Sequence, residues 1–158
     1  MDSIDRRLVI RLQYAGRETW AKLGETLGLT GPAVAERVRK LQQVGVLKGF
    51  AGLVNPDAVG AVVTAFVGVS MERPALREAF LKRVTVIPEV QECHAVTGED
   101  DFLLKIRARN PLDLDRVVSE ELKGTPGVVR TRTTVVLRTI KESTFVPIPL
   151  ETAETQRV

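Results

Sequence analysis

A chain of 158 residues, 44% hydrophobic and 27% charged, holds enough apolar side chain for one sizeable core or two small ones and is too apolar to be disordered. Its single cysteine, Cys93, excludes an internal disulfide framework; the charged start MDSIDRRLVIRL argues against a signal peptide, and no apolar run approaches the ~20 residues that span a bilayer, so the expected location is the cytoplasm. The net charge of +3 is unevenly held, with nine Lys/Arg against five Asp/Glu in residues 1–50 and fourteen against fifteen in residues 51–158, which places the basic character at the N-terminus.

Ile4, Leu8 and Leu12 form a helical stripe, Gly16 breaks it, and Trp20, Leu23 and Leu27 form a second, with Trp20 expected in the core. The turn that follows is the most informative stretch. Gly28 suits the positive φ that ends a helix, Leu29 covers that end, the Thr30 hydroxyl caps the next helix, and Pro32 is tolerated in its first turn. The chain is thus told to stop, turn and restart within about three residues, as a helix-turn-helix requires. On the third helix Val34, Val38 and Leu41 make one apolar stripe, so Pro32, Glu36, Arg39, Lys40 and Gln43 face away from it, with Ala33 and Arg37 on a flank. A cationic helix face taken alone is an ordinary solvated surface. With this turn in front of it, it reads as a helix for the DNA major groove: Thr30, Pro32, Ala33 and Glu36 lie nearest the bases, and Arg37, Arg39 and Lys40 supply affinity for phosphates. Double-stranded DNA is the partner expected.

Residues 1–48 therefore form a three-helix DNA-binding domain, and residues 49–60, containing the β-prone GFAGLVNP, a hinge or linker strand. From residue 61 to 142 the pattern runs strand, helix, strand, strand, helix, strand: AVVTAFVGVS, PALREAFLKRVTVI, EVQECHAVT, DFLLKIRA, PLDLDRVVSEELKG and GVVRTRTTVVLRTIK. The helices carry the stripes Leu76, Phe80, Val84, Ile87 and Leu114, Val117, Val118, Leu122. The fold class is α+β, a helix-turn-helix domain followed by a ferredoxin-like βαββαβ sandwich. Its helices cover one sheet face, so the other is expected to meet a second copy of the chain. Residues 143–158, with Pro147 and Pro149, read as a tail that packs on a neighbour or hangs free.

The segments MDSIDRRLVIRLQYAGR, LGLTGPAVAERVRKLQQVGVLKGF, VQECHAVTGEDDFLLKIR and PGVVRTRTTVVL resemble, in order and spacing, the leucine-responsive and asparagine-type regulators, the Lrp/AsnC or feast/famine family; the match runs from the first residue to about Lys141. The resemblance implies a DNA-binding transcriptional regulator whose effector (RAM) domain dimerises through its sheet and builds octamers, with an amino acid as small-molecule effector bound between dimers. In the loop VTGEDDFLL, Gly98 leaves backbone N–H groups open to a ligand carboxylate and Asp101 suits an α-ammonium; Gly98, Asp101 and Phe102 match the family pattern. Glu99 and Asp100 occupy its variable positions, where two further acids favour a cationic ligand, and by resemblance Thr131 and Thr133 of the last strand come from the neighbouring dimer. The plainer reading of the loop is a polar turn in which Gly98 supplies only geometry.

Other chemistry finds little support. His94 alternates with Val90, Glu92 and Val96 on one strand face and Cys93 points the other way, so they form no dyad. No cysteine and histidine cluster has zinc spacing, and the acids at 99–101 are too few for a tight cation site, so no metal, cofactor or catalytic residue is expected. Two alternatives keep the same architecture. One is an architectural DNA-binding protein without an effector. The other is a sirohaem-decarboxylase-like enzyme, which a chain with His94 as its only histidine and Tyr14 as its only tyrosine is poorly equipped to be.

Overall fold

In the computed structural model, which describes residues 1–149, contacts divide the chain into two units: residues 1–52 with the segment beginning at Glu142, and residues 53–141. The part of the expected tail beyond residue 149 lies outside the described residues.

In the first unit α1 (Ser3–Tyr14), α2 (Trp20–Leu27) and α3 (Gly31–Gln43) pack through the stripes expected of them. Leu8, Leu12, Leu23, Leu27, Val34, Val38 and Leu41 are buried together with Val9. Each such side chain contributes roughly 1.5–3 kcal/mol of apolar burial. Trp20 packs at the edge of this core rather than inside it, with its ring 6.3 Å from that of Phe50. A cap that the stripes do not mark starts α1: the Asp2 carboxylate accepts from the Asp5 N–H at 2.7 Å, and the Asp5 carboxylate accepts from the Asp2 N–H at 3.0 Å.

The second unit has strands β1 (Val63–Met71), β2 (Val90–Ala95), β3 (Phe102–Ala108) and β4 (Val128–Val135) in one sheet of order β2-β3-β1-β4, with every neighbouring pair antiparallel. The first crossover is a 3-10 turn (Pro74–Leu76) leading into α4 (Arg77–Val84); the second is α5 (Pro111–Arg116), which continues as a wide π-helical turn (Val117–Leu122). Phe80, Val84, Ile87, Leu114, Val117, Val118 and Leu122 bury against Ala65, Val67 and Val69 of β1 and Phe102, Leu104 and Ile106 of β3. Alternation along the strands sends Phe66, Gly68, Leu103, Lys105 and Arg132 to the opposite, helix-free face.

Three expectations are corrected. Among the described residues GFAGLVNP joins no sheet: β-propensity by itself makes no strand where no ladder partner is met. Its last residues instead form a turn in which the Asn55 side chain accepts from the Asp57 N–H at 3.0 Å, opening the 3-10 turn Asp57–Val59. Val90 does not share a face with His94: the pairing with β3 slips between Val90 and Glu92, a bulge that turns both Val90 and Cys93 toward the core. The last strand ends at Val135, six residues short of Lys141.

Candidate DNA-binding and effector sites

The turn between α2 and α3 is built as its residue types require. Gly28 has φ 70°, and the Leu29 N–H folds back onto the Gly24 carbonyl at 2.9 Å. This closure depends on a glycine the sequence reading passed over, since a Cβ on Gly24 would stand 2.4 Å from the Leu29 carbonyl oxygen. Thr30 Oγ1 then accepts from the Ala33 N–H at 3.4 Å to start α3.

Pro32, Glu36, Arg39 and Lys40 are exposed on one side of α3, with Ala33 half-buried at their edge. The Glu36 carboxylate takes two bonds from Arg39, at 2.8 and 3.0 Å, and lies 3.6 Å from Lys40 Nζ. The Arg39 hydrogen bonds hold the Glu36 carboxyl below its ordinary range and push the guanidinium further up. Such solvated pairs are screened and compete weakly with a polyanion. Arg37 is different. Its Nη1 is 2.7 Å from both Asp2 Oδ2 and Asp5 Oδ1, which raise its pKa, Asp2 foremost. Its charge is therefore met within the unit, and it ties α3 to the cap of α1 instead of standing free for phosphate.

The loop between β2 and β3 is closed by the Val96 N–H on the Asp101 carbonyl at 3.1 Å, with Gly98 at φ 126°, a conformation that other residues rarely adopt. Its three acids are all engaged. Asp101 Oδ2 accepts from the Met71 N–H at 2.7 Å, its Oδ1 pairs with Arg77, and its N–H donates to the Val69 carbonyl at 2.9 Å. Asp100, only 7% exposed, lies over Gly68, where a Cβ would come within 2.1 Å of its Oδ2. Arg132 Nη2 reaches that oxygen at 2.7 Å, and Arg130 Nη2 stands 3.6 Å from Oδ1. Glu99 pairs with Arg132 Nη1 at 3.0 Å, and its carbonyl accepts from Arg130 at 3.3 Å. Three carboxylates thus face Arg77, Arg130 and Arg132, so the charge that Glu99 and Asp100 were expected to offer a cationic ligand is compensated inside the chain.

The main chain of the loop is less satisfied. Among the described residues, the N–H groups of Gly98, Glu99 and Asp100 meet no protein acceptor. Successive unpaired main-chain donors in a glycine-containing turn are the kind of group that can receive an anion. Phe102 sits in the core 5.1 Å from Phe80, with Arg77 over its ring, and so anchors the loop from below. Thr131 and Thr133 pair with Val69 and Val67 on the edge strand and face the helix-bearing side, away from Asp100 and Arg132, so a single protomer does not bring them to the loop. Sequence reasoning missed Gly68, Arg77, Arg130 and Arg132. An interior strand glycine, marking a close approach, and two arginines at i and i+2 were the available signals.

His94 Nε2 lies 3.1 Å from Glu92 on the exposed face, while burial raises the pKa of the half-buried Cys93 thiol on the other. Among the described residues no group of three or more histidine, cysteine or acidic side chains is placed to hold a metal, and no helix is long and apolar enough to cross a membrane.

A capped helix-turn-helix unit joined to a βαββαβ sandwich is the architecture of a DNA-binding protein with a second, ligand-binding domain. Comparison with known proteins agrees: residues 1–42 match the AsnC-type helix-turn-helix domain and residues 64–146 the Lrp/AsnC ligand binding domain. Over 145 residues, 90% of this chain and 88% of the relative, the sequence is 37% identical to the leucine-responsive regulatory protein of Escherichia coli (strain K12). Among solved structures, a transcriptional regulator of Neisseria meningitidis in complex with L-methionine superposes with a TM-score of 0.86 at 31% identity, covering 93% of this chain and 96% of that one. A feast or famine regulatory protein of Mycobacterium tuberculosis complexed with L-methionine gives 0.84 at 34%, covering 92% and 97%. The chain belongs to the Lrp/AsnC family of transcriptional regulators. That family consists of regulators, not enzymes, and neither the decarboxylase nor the architectural alternative is favoured.

Proposed function

We propose that this regulator is modulated by a free amino acid whose carboxylate is received by the Gly98, Glu99 and Asp100 N–H groups. The observation that carries the reading is the row of N–H donors that meet no acceptor among the described residues, on a loop pinned on both sides by ion pairs. Rigid placement matters because donors held in place by the fold need less ordering when an anion arrives. The two solved relatives that hold L-methionine support the choice of an amino acid. Asp101, with both oxygens engaged, serves here as the loop's anchor, and accepting an α-ammonium would require it to exchange Arg77 for the ligand. Thr131 and Thr133 would enter the site from a neighbouring dimer.

The helix-free sheet face, where Phe66 and Leu103 are 38% and 36% exposed, is the surface offered to a second copy, and dimers assemble further into an octamer. The assembly works in the cytoplasm. It sets several α3 helices against duplex DNA, with Thr30, Pro32, Ala33 and Glu36 toward the bases and Arg39 and Lys40 on phosphates, while Arg37 positions the helix through Asp2 and Asp5. An effector between dimers alters the spacing of these helices, and a few kcal/mol of differential affinity suffices.

Calorimetric titration of L-methionine and the other amino acids into the wild-type chain and into Gly98→Asp tests the effector reading. At least one amino acid should bind the wild type, and the variant, which places a carboxylate beside the proposed carboxylate site, should lose that binding while remaining folded. Equal binding to both would refute the site.

A further inference from the structure

The DNA-binding unit is made from both ends of the chain. After β4 ends at Val135 the backbone leaves the sheet, and from Glu142 it belongs to the same unit as α1. There it docks in a defined register. The Gln13 side-chain amide pairs with the peptide nitrogen and carbonyl of Val146, Nε2 donating to the carbonyl at 3.0 Å and Oε1 accepting from the N–H at 2.7 Å. The rings of Phe145 and Tyr14 stand 4.7 Å apart, Ile148 packs half-buried on the three-helix core, and Arg6 Nη1 donates to the Pro149 carbonyl at 3.0 Å.

The spacing of these contacts is self-consistent. Arg6 and Gln13 are two helical turns apart, about 10 Å at 1.5 Å per residue, and the three extended residues from Val146 to Pro149 cover about the same distance in the opposite direction. Pro147 and Pro149 restrict the segment beforehand, so docking fixes less freedom than it would in a flexible chain. The contacts are also peripheral, so the segment can leave α1 while the three-helix core stays closed.

We propose that residues 142–149 are a strap through which the last strand of the ligand-binding sheet acts on the DNA-binding unit, its docking on α1 setting how firmly the helix-turn-helix is held. Thr131 and Thr133 lie on that same strand, so a ligand that displaces β4 shifts the strap; this last link rests on the effector reading above.

Hydrogen exchange read by mass spectrometry on the full chain tests the strap, using the double variant Gln13→Ala/Phe145→Ala and L-methionine as the probe ligand. In the variant, amides of residues 143–149 and of α1 should exchange severalfold faster than in the wild type, those of β1 and β3 should be unchanged, and DNA binding should weaken about tenfold. Phe145→Leu, which keeps apolar bulk, should recover most of the loss. Unchanged α1 exchange and DNA affinity in the double variant would overturn the proposal. In the wild type, L-methionine that protects residues 96–102 should also alter exchange in the strap and α1; protection of the loop alone would overturn the coupling. If L-methionine leaves the loop itself unaffected, it is the effector reading for this probe that fails, and the strap is decided by the variant.

Discussion

Gly68 and Lys40 show how differently single residues act here. Gly68 sits in the middle of β1 with an ordinary strand conformation, and its lack of a side chain is what lets the Asp100 carboxylate lie against the sheet and meet Arg132. Gly68→Ala should force that carboxylate aside and lower stability by about 1–3 kcal/mol through overpacking, with weakened amino-acid binding as the loop loses its anchor. Chemical denaturation beside calorimetry would reveal this, and a stable variant with undiminished binding would count against it. Lys40 is exposed, and Glu36, its partner among the described residues, is itself solvated. Lys40→Ala should leave stability unchanged and weaken binding to all DNA sequences alike, lowering the slope of log affinity against log salt by about one if it meets a single phosphate. An unchanged slope would remove Lys40 from the interface.

At the scale of elements, the turn from α2 to α3 is where local chemistry matters most. Thr30→Ala removes the cap of α3 and should cost about 1 kcal/mol. Gly24→Ala should cost more, because its Cβ would meet the backbone oxygen of Leu29, which has no freedom to yield. Heating should then melt the first unit of the Gly24 variant earlier while the sheet unit keeps its wild-type transition; a single unshifted transition would contradict this. Much of the turn was legible from sequence, since Gly28, Thr30 and the Val34, Val38, Leu41 stripe act on their immediate neighbours. The same holds for Phe80, Val84 and Leu122, whose helical period survives in the packed core. What could not be read depends on residues distant in sequence: that Asp2 and Asp5 would claim Arg37, that Arg130 and Arg132 would neutralise Glu99 and Asp100, and that a bulge would turn Val90 inward. The loop at Gly98 was found from residue types, but the N–H groups that meet no acceptor among the described residues and the engagement of the Asp101 carboxylate are properties of the folded chain.

For the whole molecule, the sheet unit is fastened by an ion-pair cluster whose centre is Asp113, buried at the start of α5. Its carboxylate accepts from the Arg109 side chain and N–H and from Arg116, and Arg116 continues to Glu89 and Glu121. The Arg109 hydrogen bonds above all hold the Asp113 carboxyl far below the usual carboxylate range. Because the folded-state pKa is the lower one, this stabilisation is fully present above the unfolded value near 4 and disappears as pH falls toward the folded value. Asp113→Asn should therefore unfold at lower urea concentration than the wild type at pH 7, with the gap closing below about pH 4. A gap independent of pH would show that the contribution is not electrostatic.

A DNA affinity that depends on a free amino acid is the property proposed for the whole molecule. Its most direct test is a fluorescence-anisotropy titration of the full chain onto duplex DNA from upstream of its own gene, across a salt series and with each amino acid added in turn. Affinity that falls steeply with salt, exceeds that for unrelated duplex, and shifts with one or a few amino acids is the predicted result. Binding no tighter than to unrelated duplex, or unmoved by every amino acid, would contradict it.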